Sequence, residues 1–569
     1  MSLFLLQYIR KEPILWLHLT GQLMERLIHK HWHIIVRFFR FSVVASLLFY
    51  VLRVLIGEQL VFDDAYMFVR YAENILAGYG FTWNPGEAPT YGCTSVLYTY
   101  WIVGLRWVFP YALPKDLIVG STVMWGIAGL YALVACIRYA MQSDALRNWI
   151  VVAGIVFPYL IFDPIYWFHA TSGMETLMAF TFYCGLIGVV YAFGNRMNGI
   201  RMGALVGIAY ACFLIRPDSG IIIVLFPCLY MIWEKRSFRW AILYGLLLGG
   251  VLIVDSWVKY RVFGDPLPLP FYAKKSGFYD GYIGGYQWNA VKFLLQFLLV
   301  NVPALVGIAL FIQPKHCRMA GVLGIPILLT FGYYFTVMQI MGGGFRYYFP
   351  TIPFLTVFAF ICWDDWIRNS MDTLKVRLQK RGLLIVGAMV LIGIFSRPGI
   401  DLYQQLFLDE QAWEEADPSI QATKPLPELS WWEATDAIYA ICRDLPDSLT
   451  IAASEYGYIG AGNRQLYILD MVGLHDPVIA HQGFSACYIF EQAPELIWFP
   501  HSHYTRIRHE LVSHPSFGTT YHYIPQAYGY GLAVRKDAIA AWEVVQTHWK
   551  EVYADYPLAA YIQLGKERR

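Results

Sequence analysis

Charge is what this sequence has least of. Charged residues are only 15% of its 569 positions, where a soluble globular domain carries roughly 25%, and that scarcity excludes a soluble protein. Cysteine pairs of the CxxC type are missing, and the nine cysteines lie mostly inside apolar blocks, so neither a disulfide framework nor a zinc site is announced. The N-terminal apolar run Leu3 to Ile9 is short and lacks a small-residue cleavage site, so no cleavable signal is expected. No internal repeat is evident, nor paired spans broken by Gly or Pro, which argues against a repeat-built transporter.

Apolar residues fill the space that charge leaves. They make up 57% of the chain, aromatics 17%, and the mean hydropathy is +0.44. Apolar stretches fall near 41–57, 95–109, 117–137, 149–162, 176–194, 202–216, 217–233, 241–258, 290–312, 320–338, 347–363 and 383–396, many of them long enough to cross about 30 Å of hydrocarbon. This predicts an all-α polytopic membrane domain over 41–396. The segment 1–40 interleaves Arg10, Lys11, Arg26, Lys30, Arg37 and Arg40 with Leu, Ile and Trp, the pattern of a cytoplasmic amphipathic interfacial segment. The positive-inside rule places the basic turns at 234–239 and 314–318 and the segment 366–381 in the cytoplasm. The loops 58–94, 264–289 and 339–346, and everything after 397, are then outside. An odd number of crossings follows, so the expectation is about 11 spans plus a re-entrant or half span, the surplus lying in 95–175.

From 397 onward the character changes. Residues 397–569 hold 22 of the 41 acids but 12 of the 43 Lys and Arg, an acidic tail on a basic membrane part. Short alternating runs such as Leu449-Thr-Ile-Ala-Ala453 and Gln465-Leu-Tyr-Ile-Leu469, punctuated by Pro and Gly, predict a mixed α/β extracytoplasmic domain. Its histidines His501, His503, His509 and His514 lack the spacing of a metal motif. Trp431, Trp432, Trp498, Tyr528 and Tyr530 could stack on sugar rings, with core packing the default.

The first outside loop carries Phe62-Asp63-Asp64 ahead of Arg70, Glu73, Asn74 and Gly78. One acid can cap a helix that Gly78 ends, and helical spacing puts Asp63, Met67, Arg70 and Asn74 along one stripe. Two adjacent carboxylates at a membrane surface persist only if something uses or neutralises them. An acid paired with Arg70 on an amphipathic helix is one reading, and a catalytic pair the other.

Resemblance favours chemistry. The run Asp63-Asp64-Ala-Tyr through Gly78-Tyr-Gly80, Asn84-Pro-Gly-Glu87 and Tyr91-Gly-Cys-Thr-Ser95 resembles the first extracytoplasmic loop of GT-C glycosyltransferases, in particular the mycobacterial terminal arabinofuranosyltransferase AftB and its bacterial relatives. Thr171-Ser-Gly-Met-Glu-Thr176, Arg216-Pro-Asp218, Gly264-Asp-Pro-Leu-Pro with Phe271-Tyr-Ala-Lys274, Glu455-Tyr-Gly-Tyr-Ile-Gly460 and Leu469-Asp-Met-Val-Gly-Leu-His-Asp-Pro477 resemble later family segments in the same order. The likeness runs from about residue 40 to 480. One departure is Met341-Gly-Gly-Gly-Phe-Arg346, where relatives often carry an acid after paired glycines.

The resemblance implies an inverting, polyprenyl-phosphate-sugar-dependent glycosyltransferase of the cell envelope, multi-pass in the bacterial cytoplasmic membrane, with active site and tail extracytoplasmic. Its partners would be a polyprenyl-phosphate-linked sugar donor, a glycan or glycolipid acceptor and membrane lipid, with no nucleic acid. Arabinofuranose is implied as the sugar only by the nearest named relative. Such a reaction needs a carboxylate to take the acceptor proton and cations for the departing phosphate. Asp63 or Asp64 can be the first, Asp63 being favoured as free to point at the cavity while Asp64 caps the helix or holds Arg70. Lys274, Lys275, Arg346 and Arg216 can be the second. Arg70, Asn74, Tyr91, Tyr272 and His475 are candidate substrate contacts, and Glu175 either binds sugar hydroxyls or favours a helix N-terminus. A divalent cation at Asp63 and Asp64 stays open, since Lys and Arg can stabilise a monophosphate unaided. The rival is a lipid-linked sugar flippase or a non-catalytic sugar-binding membrane protein.

Overall fold

The computed structural model describes residues 36–57, 61–143, 147–193, 197–273, 286–337, 339, 342–373, 426–446, 449–501 and 504–562. Among them seven helices are long and apolar enough to span a membrane: Val36–Ile56, Pro114–Ala140, Thr176–Phe193, Pro217–Glu234, Phe238–Phe263, Pro314–Tyr334 and Gly343–Arg368. Counting each of two bent pairs as a span brings the number to nine. The protein is a multi-pass membrane protein with an all-α membrane domain.

The surplus stretch of the 95–175 region has a physical account. Val96–Val108 has 13 residues, about 20 Å at 1.5 Å per residue, too short to cross. Trp149–Ile161 and Pro164–Thr171 are bent by 78°, because Pro164 cannot continue the preceding helix and Asp163 accepts the Ile165 N–H at 2.8 Å to start a new one. A second break of 64° separates Asn289–Val300 from Val302–Phe311. There Asn301 turns its side-chain amide onto the Phe297 carbonyl at 2.7 Å, and Pro303 sits in the first turn of the next helix. Gly199–Ile215 is a shorter apolar helix. The expected segment 1–40 and span 383–396 lie almost wholly outside the described residues.

The C-terminal part builds a five-stranded mixed sheet: β1 (Thr450–Ala453), β2 (Tyr467–Asp470), β3 (Leu496–Trp498), β4 (Tyr521–Ile524) and β5 (Leu532–Arg535), in the order β2-β1-β3-β5-β4. Strand β1 runs parallel to β2 and β3, while β5 is antiparallel to β3 and β4. Ile451, Ala452, Leu496 and Ile497 are fully buried, as central strands buried on both faces require. Trp498 and Tyr528 belong to this core.

Helix Asp63–Leu76 and the loop after it join the two parts. Arg70 is fully buried and donates to the carbonyls of Trp83 at 2.8 Å, Gly460 at 3.0 Å, Asn463 at 3.1 Å and Leu466 at 2.7 Å, and to Asn84 Oδ1 at 3.0 Å. Asn84 Oδ1 accepts the Ile468 N–H at 3.0 Å and its Nδ2 donates to the Ile468 carbonyl at 3.1 Å. One side-chain amide thus pairs with the open edge of β2 as a neighbouring strand would. The apolar face of the joint, including Met67, Tyr71 and Trp83, continues into the sheet core as a single cluster.

Candidate active site

A cavity of about 560 Å³ lies between the membrane helices and the sheet. Its walls include Asp64, Glu175, Arg216, Asp218 and Arg346 from the membrane part, Ser454 and Glu455 from the sheet part, and apolar side chains such as Phe213, Ile221, Phe271 and Val337.

Successive residues of a helix point about 100° apart, so the two adjacent acids cannot share one task. Asp63 turns to the sheet domain, where its Oδ2 accepts the Gly457 N–H at 2.7 Å and its Oδ1 the Tyr458 N–H at 2.8 Å. Asp64 lines the cavity, and its side chain is 25% exposed. The expectation that Asp63 is free to face the cavity is corrected on this geometry: both its oxygens accept from backbone donors of the sheet domain, and Asp64 is the one that lines the cavity. Burial pushes the Asp63 carboxyl up to about 6, although the Tyr458 and Gly457 N–H groups pull it down. Arg70 likewise serves backbone carbonyls rather than either aspartate.

Opposite Asp64 stand the arginines. Arg216 grips Asp218 with two nitrogens, Nη2 to Oδ2 at 2.7 Å and Nε to Oδ1 at 3.1 Å, and its Nη1 reaches Glu175 Oε1 at 3.4 Å. Tyr334 O–H donates to Asp218 at 2.9 Å. Arg346 is 8% exposed; its Nη2 lies 3.6 Å from Glu175 Oε1 and its Nη1 4.0 Å from Asp64 Oδ2. Its Nε and Nη1 have no hydrogen-bond partner among the described residues, nor has Glu175 Oε2. A buried guanidinium with two donors unpartnered is poised for an anion. Glu175 pairs with both arginines, so its side chain serves the cavity rather than a helix end.

The glycine run sets the position of Arg346. Gly344 has φ +62°, and a Cβ there would meet Phe168 at 2.5 Å, while one on Gly342 would meet Phe293 at 2.2 Å. Position 344 has no room for a larger side chain. His169 Nε2 lies 2.9 Å from the Gly344 carbonyl, and Phe345 follows with φ 43°.

Other expected contacts lie off the cavity. Asn74 donates to the carbonyls of Thr82 and Trp83, each at 3.0 Å. His475 stacks on Trp83 with ring centroids 4.0 Å apart and meets Tyr71 O–H at 2.9 Å; burial holds its pKa well below the usual imidazole range. Tyr91 stacks on Phe263 and carries Lys259 Nζ 5.2 Å from its ring. Tyr272 packs on His481, ring centroids 4.4 Å apart. Lys274 and Lys275 lie outside the described residues. No group of three or more His, Cys, Asp or Glu that could hold a metal occurs among the described residues. Asp218, Ser454 and Glu455 escaped the sequence reading as site residues, although Arg216-Pro-Asp218 and Glu455-Tyr-Gly were visible as motifs.

A broken-helix membrane domain with a charged cavity beneath a small mixed sheet defines the GT-C type of fold. No family model and no curated protein matches the sequence. Among solved structures, the chain is similar to ArnT from Cupriavidus metallidurans bound to undecaprenyl phosphate, with TM-score 0.50, 11% identity, and 88% of this chain and 98% of that one covered. The apo state of the same ArnT gives TM-score 0.51 at 11% identity, over the same shares of the two chains. The Archaeoglobus fulgidus oligosaccharyltransferase in complex with Zn and sulfate gives 0.46 at 13% identity over 75% of this chain; the chain spans 62% of that protein's length.

Proposed function

We propose that the protein is an inverting glycosyltransferase that moves a sugar from a polyprenyl-phosphate donor to a glycan or glycolipid acceptor on the outer face of the bacterial cytoplasmic membrane, with 397–569 as its extracytoplasmic domain. Arabinofuranose is the sugar that the sequence resemblance implies. The observation that carries this reading is that Asp64 and the partly unpartnered guanidinium of Arg346 face one cavity, 4.0 Å apart, and that this cavity also has an apolar wall. Sugar transfer from a lipid-linked phosphate uses all three: the carboxylate for the acceptor proton, the guanidinium for the phosphate and the apolar wall for the lipid.

In the proposed reaction Asp64 takes the proton of an acceptor hydroxyl. The oxygen attacks the anomeric carbon from the face opposite the phosphate, a new glycosidic bond forms, and the old C–O bond breaks with its electron pair going to the phosphate. Arg346 meets the charge that develops there. Arg216, its charge offset by Asp218 and Glu175, is proposed to turn towards the phosphate when the donor binds, and Lys274 and Lys275 are proposed to reach the same phosphate. The likeness to ArnT with undecaprenyl phosphate bound supports a polyprenyl-phosphate ligand for this fold.

The test is to incubate the purified protein with candidate polyprenyl-phosphate sugars and analyse the free polyprenyl phosphate released. Release dependent on an acceptor is the expected result. Lipid movement across vesicles without release from any donor would overturn the reading in favour of a flippase.

A further inference from the structure

The cavity has two polar walls of different chemistry. The membrane helices and the joint helix supply both arginines, Arg216 and Arg346, along with the carboxyls of Asp64, Glu175 and Asp218, whereas the sheet domain lines the cavity with a hydroxyl and a carboxyl, Ser454 and Glu455, and, among the described residues, with no cation. Cations suit an anionic donor. A hydroxyl beside a carboxyl suits a neutral polyol, each able to bond a sugar hydroxyl.

Ser454 is 7% exposed, lines the cavity, and its Oγ has no hydrogen-bond partner among the described residues. A buried hydroxyl in that state is costly unless a ligand completes it. Glu455 lines the same cavity within electrostatic reach of Asp63 and Asp64, and burial together with those two charges raises its carboxyl to about 8. The backbone holding this pair is fixed at both ends. On one side β1 is pinned between two parallel neighbours. On the other, Gly457 lies so close to Asp63 that a Cβ would come within 2.1 Å of the Asp63 carbonyl oxygen. A platform held this way can discriminate between substrates, because it cannot drift to accommodate them.

We infer that Ser454 and Glu455 determine acceptor specificity, by holding an acceptor hydroxyl beside the one that Asp64 deprotonates. The inference rests on the glycosyltransferase reading above and adds which domain reads which substrate: the membrane helices take the donor, the exit of β1 the acceptor.

The experiment uses the full-length protein in detergent, a short-chain polyprenyl-phosphate arabinofuranose as donor, and synthetic disaccharide acceptors together with variants each lacking one hydroxyl. Ser454→Ala and Glu455→Ala should each raise the acceptor KM about ten-fold, with the donor KM moving less than two-fold and the melting midpoint near wild type. One deoxy acceptor should bind poorly to the wild type yet suffer no further loss on Glu455→Ala, the non-additivity of two groups that touch. Glu455→Gln keeps the shape and a hydrogen-bonding group, and should recover most of the acceptor KM. If the wild type transfers sugar but both alanine variants keep its acceptor KM, or every deoxy penalty simply adds to theirs, the assignment to Ser454 and Glu455 is wrong while the transferase reading stands. If the wild type cleaves none of the polyprenyl-phosphate sugars tried, both fall together.

Discussion

Asp63 accepts the backbone N–H of Tyr458 at 2.8 Å across 395 residues of sequence, and so belongs to the joint between the two parts of the protein. Its neighbour Asp64 is left facing the cavity. Asp64→Asn should therefore lower transfer by about 10² to 10⁴ with the melting midpoint close to wild type. Asp63→Asn exchanges an acceptor oxygen for an N–H₂ that must face a backbone donor, and should cost roughly 1–3 kcal/mol of stability. Turnover and melting measured on both variants decide this; a dead but stable Asp63→Asn beside an active Asp64→Asn would reverse the roles.

Arg346 offers a buried, partly unpartnered guanidinium to the cavity. Arg346→Ala removes charge-assisted contacts worth about 1.5–3 kcal/mol, so kcat/KM for the donor should fall about 10- to 100-fold. Arg346→Lys should recover only part, because an ammonium cannot present two parallel N–H groups. Donor kinetics equal to wild type in Arg346→Ala would remove Arg346 from the phosphate site.

Arg70 makes five hydrogen bonds that lock the Asp63–Leu76 helix, its loop and the sheet domain into one unit. Arg70→Met leaves buried carbonyls without donors, each costing roughly 1–3 kcal/mol. Limited proteolysis should then cut between the membrane helices and the sheet domain far sooner than in wild type. Unchanged protease resistance would mean that the apolar contacts alone hold the joint.

Stability should depend on pH through the same region. Burial, with the neighbouring acids, pushes the carboxyls of Asp63 and Glu455 up from their ordinary 3.8 and 4.5, to about 6 and about 8. Between those values the native state keeps protons that the unfolded chain has lost, so the contribution is full below about pH 4 and is lost as pH rises towards 8. In Glu455→Gln the decline between about pH 6 and 8 should be shallower than in wild type. Parallel melting curves for the two proteins across that interval would contradict the raised Glu455 carboxyl.

The architecture was largely legible in the sequence, because span length and strand alternation are local properties. Each apolar stretch from 41–57 to 347–363 is helical, 290–312 as two helices broken at Asn301, and β1 falls within the first alternating run while β2 overlaps the second and ends one residue beyond it. The division of labour between Asp63 and Asp64 was not legible, since it depends on Gly457 and Tyr458, hundreds of residues away. Arg70, Asn74 and His475 carried the right chemistry for a sugar site, but their partners are backbone carbonyls and rings brought close only by the fold. Arg346 could be placed from its loop, whereas the reason for Gly342 and Gly344 before it required seeing Phe293 and Phe168.

The clamp on Arg70 also has a consequence for how the protein is made. Its acceptors at Gly460, Asn463 and Leu466 lie 390, 393 and 396 residues downstream, so at 5–20 residues per second they leave the ribosome roughly 20 to 80 seconds after Arg70 itself. During that interval a helix with a guanidinium destined for burial has to remain hydrated beside the nascent spans, and the donor cavity has no roof. A chain stopped before residue 455 would therefore insert its helices yet expose that arginine and the apolar stripe around it, the kind of surface that quality-control proteases recognise.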